Sequence, residues 1–114
     1  FPDYNVLYAA ADSGVYYRDK STGSLMFYNK NTGKRDVLNG GFKVNLLTAQ
    51  NGYVIAGFEE NPKSSCRLAV YQPTTNGYKQ VYTSADCADK AIVNADGVLV
   101  YRLMGSNQLV KVQL

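Results

Sequence analysis

Histidine and tryptophan are both absent from this 114-residue sequence. Without histidine the usual general base is gone, and with it the Ser-His and Cys-His nucleophile pairs and the commonest metal ligand. Two cysteines are too few for an all-cysteine zinc site, and no histidine can complete a mixed one. No metal or other cofactor is expected. None of the ten asparagines begins an Asn-X-Ser/Thr sequon, which leans towards a bacterial, phage or otherwise unglycosylated protein. No apolar run approaches the ~20 residues of a membrane span. Neither an initiator Met nor a signal peptide is visible, and an opening at Phe1-Pro2 suits a processed form or a domain excised from a longer protein. Apolar positions at helical spacing with cap signals are missing as well, so almost no helix is expected. Charge of either sign is sparse and mixed, with 12 basic and 9 acidic residues for a net +3. The densest basic group, Lys30, Lys34 and Arg35, stands beside Asp36 in a loop rich in Asn and Gly. A solvated hairpin tip explains it better than a nucleic-acid surface, which needs a basic stripe with aromatic platforms.

What is present is a repeated pattern of short apolar runs and turns. Val44 to Ser84 holds four such runs, separated by Asn51-Gly52, a polar loop around Pro62 to Ser65, and Asn76-Gly77. Asn-Gly between alternating apolar residues is a strong hairpin signal, because both residues tolerate positive φ. An earlier section has the same rhythm: Asn5 to Ala11, the turn Asp12-Ser13-Gly14, Val15 to Arg18, Leu25 to Tyr28, a turn ending at Thr32-Gly33, and Arg35 to Leu38. Asn39-Gly40-Gly41 closes it. A third pass runs through Ala91 to Val93, turns at Asp96-Gly97, continues from Val98 to Leu103, turns near Gly105-Ser106 and ends in Leu109 to Leu114. The pattern predicts one all-β domain over residues 1–114, an antiparallel meander of about eleven short strands in units of roughly 40 residues. The repeats fall at about 5–40, 43–84 and 91–114, the last lacking its outer strand.

The stretches SLMFYNKNTGKRDVL and CRLAVYQPTTNGYKQVY resemble the inner-to-outer hairpin of β-propeller blades, in which an apolar strand ends in an aromatic residue and returns after a turn. No Gly-His, Trp-Asp or quinone-enzyme Trp signature accompanies it. The resemblance is therefore to blade repeats in general and carries over no functional residue. Closed propellers take about four to eight blades, so three units imply a fragment of a ring, closure with other chains, or another closure. A β-sandwich or barrel and a three-repeat β-trefoil are the alternatives.

Cys66 and Cys87 yield a sharper expectation. A two-residue Asn76-Gly77 loop sets Thr75 opposite Tyr78 and, further along the hairpin, Cys66 opposite Cys87. That pair falls at a non-hydrogen-bonded site with Cα atoms ~4.5 Å apart, within disulfide reach. The same register pairs Tyr71 with Tyr82. Pro73 opposes it, having no N–H for the ladder, and a bulge there moves Cys87 just past the strand end. A disulfide implies an extracellular, periplasmic or cell-surface location.

Few residues offer chemistry. Glu59 and Glu60 adjoin on a strand and so face opposite ways. Asp86, Asp89 and Asp96 miss the spacing of a calcium loop, since Ala88 and Lys90 stand at ligand positions. Ser13-Gly14-Val15-Tyr16-Tyr17 resembles an S-G-x-x-Y loop of bacterial lysozyme inhibitors, without that family's lysine-bearing second motif. Ten tyrosines are the better pointer, because tyrosine joins a large apolar area to a polar tip. Tyr8, Tyr28, Tyr71 and Tyr82 are expected to pack the sheets. Tyr16, Tyr17, Tyr53 and Tyr78 are the candidate binding residues, with Tyr4 also expected at the surface. The expected function is a non-enzymatic secreted or surface-exposed binding module of adhesin, pilus, secretion or phage-receptor type. Its partner would be a protein or a cell-surface ligand, with self-association or strand addition through the open sheet edge. A small inhibitor of an extracellular enzyme is the alternative, and a carboxylate-dependent hydrolase a weaker one.

Overall fold

The computed structural model describes residues 8–11, 13–38, 42–59, 66–75 and 77–114. Tyr4, the start of the expected first strand at Asn5, Asp12, Asn39-Gly40-Gly41, Glu60, the Pro62 to Ser65 loop and Asn76 lie outside the described residues, as do the side chains of Tyr8 and Asp89.

Eleven strands are described and no helix: β1 (Tyr8–Ala11), β2 (Gly14–Arg18), β3 (Leu25–Asn29), β4 (Arg35–Leu38), β5 (Lys43–Gln50), β6 (Tyr53–Glu59), β7 (Cys66–Thr74), β8 (Gly77–Ser84), β9 (Ala88–Val93), β10 (Val98–Leu103) and β11 (Leu109–Gln113). Within each of three sheets, sequence neighbours pair antiparallel, in the orders β1-β2-β3-β4, β5-β6-β7-β8 and β11-β10-β9. The fold is all-β, and the sheets coincide with the three sequence repeats. Among the described residues no helix is long and apolar enough to cross a membrane.

Burial patterns tell how the sheets stack. In β3 alternate residues Leu25, Phe27 and Asn29 are buried while Met26 and Tyr28 are half-exposed, the signature of a sheet covered on one face. In β6 the run Val54 to Phe58 is buried without interruption, which requires cover on both faces. Val54, Ala56 and Phe58 join Tyr16, Leu25, Phe27 and Tyr71 in one core, between the first and second sheets. Ile55 turns the other way and joins Leu68, Val70, Val93, Leu99 and Tyr101 in a second core, between the second and third. The second sheet is thus the middle layer of three, in a body of 41 × 35 × 22 Å.

Two local backbone demands are met by residue choice. Asn51 and Gly52 both take positive φ, 49° and 83°, closing the two-residue loop between Gln50 and Tyr53 as the sequence predicts. Gly14 pairs with Ala11 and with Asn29, and a Cβ on it would overlap the Tyr28 carbonyl oxygen. The expected turn Asp12-Ser13-Gly14 therefore ends one residue earlier, with Gly14 already inside β2.

The β7–β8 hairpin differs from expectation in register. Thr74 pairs with Gly77 and Pro73 with Tyr78, so Gly77 belongs to the strand rather than the loop. A bulge on β8 at Val81 then shifts the pairing by one, so that Tyr71 faces Gln80 and Val70 faces Tyr82. The expected Tyr71–Tyr82 pair is not formed, and the two rings lie on opposite faces of the sheet. Pro73 sits beyond Tyr71, where pairing with β6 ends, so β7 has a partner there on one side only; a residue without an N–H is tolerated in that setting.

Cys66 and Cys87 form the disulfide, with Cα atoms 4.9 Å apart. They are not opposite members of the hairpin, however. β8 ends at Ser84, and Cys87 immediately precedes β9, so the bond ties the start of β7 in the middle sheet to the start of the third sheet. Entry of Gly77 into β8 sets the pairing back by two residues and the bulge restores one of them, which leaves Cys87 one residue past the position level with Cys66.

Candidate functional site

The turns leading from β1 to β2, β3 to β4, β5 to β6 and β7 to β8 lie at the same end of their sheets, because neighbouring strands run antiparallel. Their shapes come from short polar residues. Asn29 Oδ1 accepts from the Asn31 N–H at 2.9 Å and the Thr32 N–H at 3.3 Å, and Gly33 closes that turn with φ 74°. In the third sheet Asn94 Oδ1 accepts from the N–H groups of Asp96 and Val98, and Gly97 takes φ 77°. Side-chain caps of this kind hold turn backbone in place without burying apolar area.

Hydrogen bonds clasp these turns across the sheets. Ser13 Oγ donates to the Gly77 carbonyl at 2.9 Å, and Asn31 Nδ2 approaches the Thr75 carbonyl at 3.5 Å, fixing the β7–β8 turn against the first sheet. On the other side Asn51 Nδ2 donates to the Val93 carbonyl at 2.6 Å. Gln50 spans the same strand, accepting from the Val93 N–H at 2.9 Å and donating to the Ala91 carbonyl at 3.4 Å.

Between the first two sheets the turns leave a cleft of about 860 Å³, lined by Ala10, Ser13, Asn31, Ala49 to Val54, and Gln72 to Thr75. Its described lining holds hydroxyls, amides and small apolar groups, and no carboxylate, amine or guanidinium. Ser13, Asn31, Gln50 and Asn51 are already bonded to backbone. Gln72, Thr74 and Thr75 are exposed, and their side chains make no hydrogen bond among the described residues. A wall of unspent neutral donors and acceptors can bind an uncharged polar group, and offers no proton to transfer near neutral pH.

The candidate tyrosines divide. Tyr53, half-buried, lines the cleft, and a Cβ at Gly97 would meet its hydroxyl at 3.3 Å. Tyr17 is half-buried on the outward face of the first sheet, opposite Tyr16 and away from the cleft. Tyr16 is a correction: it is 0% exposed and can touch no partner. Its ring lies 4.8 Å from Phe27, 6.1 Å from Tyr71 and 6.4 Å from Tyr78, so an alternating strand position after a turn has become core. Tyr78 is half-buried and packs edge-on to Phe27 at 5.2 Å, serving the core more than the surface. Burial raises the pKa of Tyr16, as do Tyr71 and Tyr78 beside it; burial and then Asp36 raise that of Tyr78. The Tyr16 hydroxyl is buried and has no hydrogen-bond partner among the described residues.

One carboxylate is set in a network. Asp86 Oδ2 accepts from Ser84 Oγ at 2.6 Å and from the Tyr101 hydroxyl, which lies 3.1 Å from that of Tyr82. The Ser84 hydroxyl first, and then that of Tyr101, hold the Asp86 carboxyl below its ordinary pKa. Burial, and then the bond to Asp86, raise Tyr101. The three ring and carboxyl groups join the segment after β8 to β10, which is a packing role. Asp96 is exposed in the β9–β10 turn, apart from it. Among the described residues no three His, Cys, Asp or Glu gather as a metal set.

Ser13 was named from the sequence only within a turn and an S-G-x-x-Y stretch, and Asn31, Gln50, Gln72, Thr74 and Thr75 were not singled out as binding residues. The available signal was positional, since every one sits in or beside a turn between an odd-numbered strand and the next. Against known proteins the chain matches no family model, and a search of curated proteins finds no relative.

Proposed function

We propose that this chain is a non-enzymatic binding module of a secreted, periplasmic or cell-surface protein, recognising a protein or cell-surface ligand at the turn end. The cleft between the first two sheets carries this proposal: about 860 Å³ bounded by clasped turns, with Gln72, Thr74 and Thr75 unspent along one wall. A preformed concave site with few, well-placed polar groups is the usual form of a binding pocket. Its turns are held by short hydrogen bonds, so little ordering cost accompanies binding. The Cys66–Cys87 bond supports an oxidising compartment. Adhesin, pilus, secretion and phage-receptor proteins are the kinds of context that fit. Strand addition at the open edge of the third sheet is a second contact of the same module.

The stack also supports blade-like repeats as the underlying architecture. The first strand of each sheet lies near that of the next, β1 against β5 and β5 against β9, as radially arranged units would place them. Three such units would make an arc of a ring.

An inhibitor acting through Ser13 is less well supported, since Ser13 is 3% exposed and its hydroxyl is bonded to Gly77. Binding of the wild-type chain and of a Gln72→Ala, Thr74→Val double variant to arrayed surface glycans and proteins tests the proposal. A ligand retained equally by both would place recognition elsewhere, and turnover of any arrayed substrate would make the chain an enzyme.

A further inference from the structure

We infer that the outer edge of β11 is an addition site for an extended segment of another protein. That segment carries apolar residues at alternate positions and an acidic residue opposite Lys111. The inference deepens the recognition role proposed above and rests on it. The first two sheets have four strands each and the third has three, so nothing described stands beyond β11 where β4 and β8 complete the others.

The backbone of β11 is divided between its two sides. Leu103 N–H donates to the Gln108 carbonyl at 3.0 Å and Leu114 N–H to the Gly97 carbonyl at 2.9 Å. Hydrogen-bonded pairs alternate along an antiparallel ladder, so Tyr101 with Val110 and Leu99 with Val112 exchange the bonds between. The N–H and C=O groups of Leu109, Lys111 and Gln113 turn to the open side.

The three outer edges are not equally protected. β4 has four residues, two of them the charged Arg35 and Asp36. β8 carries Lys79 and is interrupted by its bulge. β11 keeps one unbroken register, has no proline and bears a single charge. Short, charged or bulged edges resist pairing, and a flat, mostly uncharged one accepts it.

Side chains say what the added strand should carry. On the inner face Val110 and Val112 pack only partly buried against the second core, as do Val81 and Tyr82 of β8. Apolar residues next to Val110 and Val112 would cover that rim. On the outer face Lys111 shares a row with Val100 and Ile92, and the row contains no carboxylate. An acidic residue opposite Lys111 stabilises the pair, whereas a like charge destabilises it. A second copy pairing through β11 about Lys111 would set Lys111 against itself, and one step over would set it against Leu109. The acid-bearing segment of another protein is the better fit.

The test is a titration of the isotopically labelled chain with an end-blocked nine-residue peptide alternating valine and glutamate. The largest amide shifts and new exchange protection are expected at Leu109, Lys111 and Gln113. Lys111→Pro removes an outward N–H and none that faces β10, so it should abolish peptide binding with the unfolding midpoint unchanged. Lys111→Glu, which keeps the backbone, should weaken the glutamate peptide roughly five-fold and favour a lysine-bearing counterpart. Binding unaffected by both variants, or no response at β11, overturns the inference. So does a concentration-dependent dimer with the same amides protected without peptide, which would make a second copy the occupant. Peptide binding lost in Gln72→Ala but intact in the Lys111 variants would place the peptide in the cleft, keeping the recognition role and removing the edge site.

Discussion

Asn51 Nδ2 lies 2.6 Å from the Val93 carbonyl, so the β5–β6 turn of the middle sheet is bonded to the innermost strand of the third. The same residue holds φ at 49°, a conformation that asparagine tolerates and alanine does not. One side chain thus serves the hairpin and the sheet stack together. Asn51→Ala should cost about 2 kcal/mol in urea unfolding, one part backbone strain and one part lost hydrogen bond. Asn51→Gly keeps the conformation and should cost about 1 kcal/mol. Equal effects from both variants would mean that the bond to Val93 carries all of it.

Tyr16 makes the opposite kind of prediction, a gain from removing an atom. Its hydroxyl is buried without a partner among the described residues, and a stranded polar group of this sort costs about 1–3 kcal/mol. Tyr16→Phe should therefore raise stability by about 1 kcal/mol in thermal or urea unfolding. Tyr16→Ala would open a void among Phe27, Tyr71 and Tyr78, and should cost about 3–5 kcal/mol. A destabilising Tyr16→Phe would show that the hydroxyl is satisfied in solution.

The Cys66–Cys87 bond closes a 21-residue separation between the second and third sheets. Loop-closure entropy gives about 3 kcal/mol for a cross-link of this length. Reduction, or the paired Cys66→Ser and Cys87→Ser change, should lower stability by that order and loosen β9 first in hydrogen exchange. Two reactive thiols in the denatured, unreduced protein would contradict the bond itself.

Acid should weaken the packing of the third sheet through Asp86. Its folded pKa is depressed by the hydroxyls of Ser84 and Tyr101, so the stabilisation is fully present above the ordinary carboxylate range. It is lost as pH falls below about 4 and through the depressed value. Asp19, held down by Thr22, acts in the same direction from an exposed loop. Unfolding midpoints measured from neutral to acid pH should fall less in Asp86→Asn than in the wild type. An identical acid slope in the two proteins would show that Asp86 does not titrate differently on folding.

Much of this fold was legible because it rests on local demands. The strands follow period-two patterning, and Asn51-Gly52 is a loop because its two residues can take positive φ. Asn76-Gly77 carries the same dipeptide, yet Gly77 entered β8 opposite Thr74, in a register that the dipeptide does not encode. That shift at the loop, only half reversed by the bulge, and the end of β8 at Ser84 turn a disulfide expected within one hairpin into a staple between sheets. Tyr16 looked like a surface residue beside a turn, since nothing in VYYR tells which of two adjacent tyrosines faces another sheet. The cleft was illegible for a related reason. Ser13, Asn31, Gln50 and Gln72 come together only once two sheets are stacked, and no short motif encodes a stack.

Recognition at the turn end is tested most directly by amide chemical-shift mapping of the labelled chain against a panel of surface oligosaccharides and extended peptides. For an uncharged oligosaccharide, the shifts are expected to cluster at Ser13, Asn31, Gln50 to Val54 and Gln72 to Thr75. They should be insensitive to pH near neutrality, because the described lining bears no charge. Shifts centred away from these residues for every ligand that binds, or no response to any member of the panel, would contradict a binding role for the cleft.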